Sequence, residues 1–308
     1  MSIDFETHRP RLRALAYRML GSRSEAEDVV QDAWLRWQAA DQAQVQDPLA
    51  YLCRTATHLC LDLLQSARAR REHYVGLWLP EPIVDEAHQG YGTPNPESVL
   101  GHYQQLSLGF MWALQQLSPL ERAAFVLHDV FEQPFDEVAQ TLGRSSAACR
   151  QLSSRARKQL QAQGYGREVI AAPPADTRIQ ALLEAFAQAL ASGEVQALAE
   201  LLAQDVRLCS DGGGVVCAIP APLLGHERVA QALVAFARTW QRDAGAQALH
   251  SAWVNGAPGA LLWNAQGALE QACALEWDTQ GRVRGIYFQR NPRKLAAITA
   301  TPAPGSRG

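Results

Sequence analysis

Between residues 143 and 162 the chain carries Arg144, Arg150, Arg155, Arg157 and Lys158 and no acidic side chain. A cluster of one sign neutralises phosphates, and arginine adds a planar fork that can bond a guanine edge twice. Cys149, Leu152, Ala156 and Leu160 recur at helical spacing as an apolar stripe, and Ser146, Arg150, Gln151 and Ser154 lie off it. Upstream, Pro134 to Leu142 reads as a short helix stopped by Gly143, and Ser145 caps the next helix. A short helix, a glycine turn and a second helix with a basic outer face is the outline of a helix-turn-helix. The whole chain has a net charge of −3, so the signal for nucleic acid is local clustering and not overall charge.

Other polar groups fall at helical spacing nearer the N-terminus. Asp28, Gln31, Asp32 and Leu35 share one face of a helix whose opposite face holds Ala26, Val29, Val30, Ala33, Trp34 and Trp37. Arg54, His58, Asp62, Gln65 and Arg68 project away from the stripe Leu49, Leu52, Ala56, Leu59 and Leu63. Periodicity alone reads both sets equally well as solvated faces. The six cysteines form no CxxC pair and have no histidine at zinc-ligand spacing. No metal, cofactor or disulfide scaffold is expected, and Cys53, Cys60 and Cys149 read as small apolar residues.

The elements that must position these groups follow from caps and periods. Phe5, Leu12, Leu15, Met19 and Leu20 form a first helix closed by Gly21. Ser24 with Glu27 is read as the capping box of a second helix, and Asp47-Pro48 as the start of a third. Residues 72–104 are rich in Pro and Gly and hold Trp78-Leu79-Pro80-Glu81-Pro82. Helices return at 105–163, with Ser118-Pro119 and Glu121 as another capping box. After a second linker ending near Pro174, two helices break at Ser192-Gly193. β-like runs then follow at Val206–Cys209, Val215–Ile219, Ala248–Val254, Ala260–Trp263, Leu269–Trp277 and Val283–Gln289, with a helix at about 226–241. Turn residues at Asp211-Gly212-Gly213-Gly214, Asn255-Gly256 and Gln280-Gly281 suit hairpins. With 308 residues, no apolar run long enough to span a bilayer and no apolar leader, the chain reads as a multidomain cytoplasmic protein.

Three segments carry a resemblance: AEDVVQDAWLRW (26–37), AYLCRTATHLCLDLLQSARARRE (50–72) and LSPLERAAFVLHDVFEQPFDEVAQTLGRSSAACRQLSSRARKQL (117–160). In this order they resemble a bacterial sigma factor of the extracytoplasmic-function group, which has only regions 2 and 4. WLPEP at 78–82, DGGG at 211–214 and NPRKL at 291–295 resemble the subgroup with a SnoaL-like C-terminal domain. Val215 stands where that subgroup often has lysine.

The resemblance implies two all-α sigma domains followed by an α+β SnoaL-like domain with a curved sheet. It divides the chain into region 2 (1–72), a linker (73–104), region 4 (105–163), a second linker (164–175), the SnoaL-like domain (176–295) and a tail (296–308). It implies a non-enzymatic partner of core RNA polymerase and of promoter DNA. Asp28, Gln31, Asp32 and Leu35 would meet polymerase. Arg54, His58, Asp62, Gln65 and Arg68 would read the −10 element. Ser146, Arg150, Gln151 and Ser154 would read the −35 element, with Arg144, Arg155, Arg157 and Lys158 on phosphates. Trp78, Leu79, Pro80, Asp211, Gly212, Gly213, Gly214, Asn291, Pro292, Lys294 and Leu295 would form an interdomain regulatory contact that needs no separate anti-sigma factor. A SnoaL-like fold also implies an apolar pocket, to which Asp211, Glu276, His226, Trp253 and Trp277 would contribute without a close acid/base pair, and a small ligand of the C-terminal domain is compatible with this. The competing readings are a SnoaL-like isomerase or cyclase with a DNA-targeting module, and a conventional helix-turn-helix regulator.

Overall fold

The computed structural model describes residues 5–72, 74–84, 106–165, 176–243 and 248–298, with the side chains of 67–72, 176–183, 240–243 and 248–249 outside that description. The expected linker stretches 85–104 and 166–175 and the end of the tail lie outside the described residues. The described residues form two compact units, one holding 5–72 and 110–165, the other 74–84, 106–109, 176–243 and 248–298.

The first unit is helical. Helix α1 (Phe5–Leu20) buries Phe5, Leu12, Leu15, Met19 and Leu20. It ends where Gly21, at φ +74°, donates its N–H to Tyr17 O at 2.7 Å, the left-handed stop that glycine adopts without steric cost. Helix α2 (Arg23–Ala39) is capped by Ser22, whose Oγ accepts from the Glu25 N–H, and not by Ser24 as the spacing suggested. Asp47 caps α3 (Pro48–Glu72) by accepting from the Ala50 N–H at 3.0 Å. Leu52, Cys53, Ala56, Leu59, Cys60 and Leu64 are buried apolar positions on it. Helices α4 (Leu108–Gln115) and α5 (Pro119–Phe125) follow, the latter with the reciprocal Ser118/Glu121 capping box. A π-helical turn (Val126–Val130) extends α5.

Helix α6 (Phe135–Leu142), Gly143 at φ +61° and α7 (Ser146–Ala162), capped by Ser145, complete the expected helix-turn-helix. Its buried stripe is Cys149, Ser153, Ala156 and Leu160, with Leu152 only half-buried. Helix α3 packs on both α5 and α6. Arg122, 3% exposed, donates to Gln115 Oε1 at 2.7 Å, to Gln115 O at 3.0 Å and to Leu117 O at 3.3 Å, and also to Met19 O at the end of α1. One guanidinium thus satisfies carbonyls that two helix ends leave open.

The second unit is α+β. Helices α8 (Asp176–Ser192), α9 (Val195–Glu200) and α10 (His226–Asp243) accompany strands β1 (Leu202–Asp211), β2 (Leu223–Leu224), β3 (Ala248–Val254), β4 (Ala257–Trp263), β5 (Leu269–Trp277) and β6 (Val283–Gln289), followed by the short α11 (Pro292–Leu295). The sheet order is β2-β1-β6-β5-β4-β3. Among the described strands only the β1–β6 pair is parallel. Asn255 and Gly256, at φ +52° and +68°, make the tight turn between β3 and β4, as an Asn-Gly pair should. The run Val215–Ile219, expected as a strand, is irregular. The Val216 N–H turns back to Gly212 O instead, and Gly213 and Gly214 both have positive φ.

Strand alternation divides the sheet into two faces. Val206, Leu208, Trp253, Leu275, Ile286 and Phe288 pack with Phe186, Leu198, Val229 and Leu233 of the helices. Asp211, Ala274, Glu276, Tyr287 and Gln289 belong to the other face by register.

Candidate functional site

In the helix-turn-helix Arg144, Arg150, Gln151, Ser154, Arg155, Arg157 and Lys158 are exposed and Ser146 is half-exposed. The first turn of α6 supports the start of α7. The Arg150 guanidinium lies over the Phe135 ring, 5.4 Å from its centroid. Phe135 stacks on His128 at 3.7 Å between centroids, and His128 Nδ1 is 2.8 Å from Gln133 O. This stack limits the rotamers of a long side chain before it meets a partner, which lowers the ordering cost of binding. Ser146 Oγ donates to Asp136 Oδ1. Arg157 is the exception to the expected phosphate set: its Nε sits 2.6 Å from Asp129 Oδ1, whose other oxygen accepts from buried Ser153 at 2.6 Å. Asp129, on the π-helical turn, therefore holds α7 against α5, a role the spacing of the sequence did not signal.

On α2, Asp28, Gln31, Asp32 and Leu35 are all exposed, Leu35 at 54%. On α3, Arg54, His58, Asp62 and Gln65 are exposed, and the Arg68 side chain lies outside the described residues. His58 Nε2 is 2.6 Å from Thr141 O of α6. The face expected to read one DNA element thus touches the helix-turn-helix expected to read another.

The second unit brings together the three short motifs at 78–82, 211–214 and 291–295. Asp211 is fully buried at the end of β1. Its Oδ1 accepts from the Tyr74 hydroxyl at 2.6 Å and the Gly213 N–H at 3.0 Å. Its Oδ2 accepts from the Leu79 N–H at 2.9 Å and Lys294 Nζ at 2.7 Å. Lys294, on α11, also donates to Leu79 O and lies 4.0 Å from the centroid of the Trp78 ring. Gln289 Nε2 reaches Pro80 O at 3.1 Å. Asn291 caps α11 through Arg293 N–H and donates from Nδ2 to the Tyr74 hydroxyl at 2.9 Å.

A buried ion pair repays its desolvation only when its remaining hydrogen-bonding capacity is filled, and here it is. Burial and the Asp211 carboxylate together push the Tyr74 hydroxyl above its ordinary value of 10.0. Gly213 is required, because a Cβ there would stand 2.4 Å from Asn291 Nδ2 at φ +65°. Pro292 opens α11 at its first position, and Leu295 is buried.

The docked segment continues to the far edge of the sheet. Ile83 exchanges hydrogen bonds with Asn255, at 2.7 and 2.9 Å, and Val84 bridges Val254 of edge strand β3. Ser107, just before α4, donates to Glu276 Oε1. Tyr74, Gln289 and Ser107 were missed by sequence reasoning, since each acquires its role only through pairing across the fold.

The set Asp211, Glu276, His226, Trp253 and Trp277 does not assemble into one pocket. Asp211 and Glu276 are on the linker-bearing face, tied to Lys294 and to Ser107, Tyr287 and Arg284. Trp253 and Trp277 pack with the helix-covered core, and His226 begins α10. Among the described residues no cluster of His, Cys, Asp or Glu is arranged to hold a metal, and no helix is long and apolar enough to cross a membrane.

Two segments of the chain match known families. The Sigma-70 region 2 family matches residues 5–70, and the Sigma-70, region 4 family matches residues 110–160. The ECF RNA polymerase sigma factor SigJ of Mycobacterium tuberculosis is 39% identical over 226 residues, 73% of this chain and 70% of SigJ. The crystal structure of that extracytoplasmic function sigma factor superposes with a TM-score of 0.75 at 31% identity, covering 96% of this chain and 99% of the other. The sigma factor RpoE of Bartonella quintana, solved in complex with the anti-sigma factor NepR, matches 51% of this chain and 91% of its own at 21% identity and a TM-score of 0.38.

Proposed function

The chain belongs to the extracytoplasmic-function RNA polymerase sigma factors, with a SnoaL-like domain fused after region 4, and we propose that this domain controls promoter engagement in cis by gripping the segment between regions 2 and 4. As a sigma factor the protein joins core RNA polymerase and directs it to promoters in the bacterial cytoplasm. Region 2 contributes α2 to polymerase and α3 to the −10 element, and region 4 contributes α7 to the −35 element.

The observation that carries the proposal is the buried Asp211–Lys294 pair closed around Leu79. Residues 74–84 and Ser107, at the two ends of the connecting segment, are both held by the same domain. A free chain of that length could extend over about 3.3–3.6 Å per residue. Pinning both ends removes most of that reach. The contact between α3 and α6 acts in the same direction. Elements at −35 and −10 lie about 25 base pairs apart by their labels, or roughly 85 Å of B-form DNA at 3.4 Å per base pair. Helices in contact cannot occupy both, so regions 2 and 4 must part before a promoter is bound. The SnoaL-like domain is placed to set how easily they do, and its tethering makes even a weak grip effective at a local concentration of roughly millimolar.

Two arrangements argue against the enzyme reading. The carboxylates Asp211 and Glu276 are committed to structural partners, and the aromatic residues expected beside them face the other side of the sheet. The test is run-off transcription with core polymerase and the full chain. Trp78→Ala should change promoter-specific output at least threefold with core binding unaltered. Unchanged output would remove the linker contact from control.

A further inference from the structure

We propose that Asp136 and Ser146 act as an acceptor-only pair that selects an amino-bearing base, adenine or cytosine, at one position of the −35 element. The inference rests on α7 being the helix that reads this element.

Ser146 is the first residue of α7, and Asp136 stands in the first turn of α6. Both sit at the mouth of the helix-turn-helix, Asp136 exposed and Ser146 half-exposed. The hydroxyl donates its only proton to the carboxylate, because an ionised carboxylate can only accept. What remains on Ser146 is lone pairs, and what remains on Asp136 is lone pairs. A free serine reads donors and acceptors alike. This one is restricted to a single sign before DNA arrives.

In the major groove adenine N6 and cytosine N4 present donors, whereas thymine O4 and guanine O6 and N7 present acceptors. An acceptor pair facing an acceptor edge leaves desolvated groups without partners, a cost that corresponds to roughly tenfold in affinity. An acid in the first turn of α6 also suits that helix dipole, but the dipole gives no reason for the hydroxyl to be bound in this direction.

Arg150 carries the opposite sign. It follows Ser146 by one helical turn, a rise of about 6 Å or roughly two base-pair steps. Its guanidinium has only donors and is already oriented over Phe135. The start of α7 therefore presents acceptors first and donors one turn later. It fits an amino-bearing base at one position and guanine roughly two positions away.

The experiment uses core polymerase and full-length protein on a library randomised across the −35 element, with the transcripts sequenced. The wild type should favour adenine or cytosine over thymine and guanine about tenfold at one position of the contacted strand. Asp136→Asn, whose amide can donate as well as accept, should reduce that preference to within about twofold at that position alone. Ser146→Thr keeps the hydroxyl and should keep the preference. Arg150→Ala should relax a separate guanine position. If Arg150→Ala relaxes its position while Asp136→Asn changes none, the acceptor pair is refuted and the reading of α7 stands. An even loss across all positions with Asp136→Asn also refutes it. If neither variant alters any position, α7 is not the reading helix and the inference falls with that assignment.

Discussion

Replacing Asp211 with asparagine keeps the shape of the side chain and removes its charge. Lys294, whose side chain is 9% exposed, would then hold an uncompensated ammonium against Leu79 O and the Trp78 ring. Leaving one partner of a buried pair costs about 3–5 kcal/mol. Lys294→Met should fall at the lower end of that range, near 3 kcal/mol, because Asp211 keeps the N–H groups of Leu79 and Gly213 and the Tyr74 hydroxyl. The double variant has no orphaned charge, and its asparagine can still accept from Leu79, so it should lose only about 1–2 kcal/mol. The two single effects together, about 6 kcal/mol or more, would thus exceed the double by about 4 kcal/mol or more.

The readout is hydrogen exchange at the Leu79 amide, because its bond to Asp211 exists only in the docked linker. A loss of 3 kcal/mol speeds that exchange by roughly 150-fold where opening limits it through its equilibrium. Additive effects across the cycle, or single variants with wild-type exchange at Leu79, would refute the claim that this pair closes the linker onto the sheet.

Asp32→Arg, on the exposed face of α2, should alter folding stability by no more than about 0.5 kcal/mol and weaken core polymerase binding about tenfold in titration; equal affinity would take this face out of the interface. Thiol labelling of the native protein should find Cys217 fast, as the exposed cysteine, and Cys53, Cys60, Cys149 and Cys209 slow. Burial pushes the Cys53 thiol up to about 11 and those of Cys209 and Cys273 up to about 12, so raising the pH towards 10.0, the ordinary value for tyrosine, should not make them reactive while the fold persists. Linker docking should be constant below that pH and weaken above it, because the undocked Tyr74 ionises before the docked one. Tyr74→Phe should flatten this dependence in Trp78 fluorescence, and an unchanged slope would assign the weakening to another group.

Much of the architecture is legible in short-range signals. The Ser118/Glu121 box, Gly143, Ser145 and Asn255-Gly256 act within a few residues, and each forms as its local chemistry requires. The errors arise where two local signals compete or where a distant partner decides. Ser22-x-x-Glu25 and Ser24-x-x-Glu27 are equivalent as capping patterns, and only the turn at Gly21 places the helix start at Ser22. Leu152 fits the apolar stripe of α7 better than Ser153, but Asp129 lies where a buried hydroxyl gains a charged partner. Val215–Ile219 has strand composition, yet it follows two consecutive glycines at positive φ and its Val216 N–H turns back to Gly212 O.

At the docked linker the three motifs were recognisable by resemblance, and Trp78, Asp211 and Lys294 do meet. Tyr74 and Gln289 carried no local signal. Their importance depends on the register that sets β6 beside β1, with Gln289 opposite Asp211, which spacing along the chain cannot reveal.

The account stands or falls on whether the docked linker sets the separation of regions 2 and 4. The direct measurement is the distance between labels at exposed Gln38 and Gln161 in the full-length protein, compared between wild type and Asp211→Asn. With the linker released, the account predicts a longer mean distance and a broader distribution. Identical distributions, in samples where exchange at Leu79 shows the linker to be free, would contradict it.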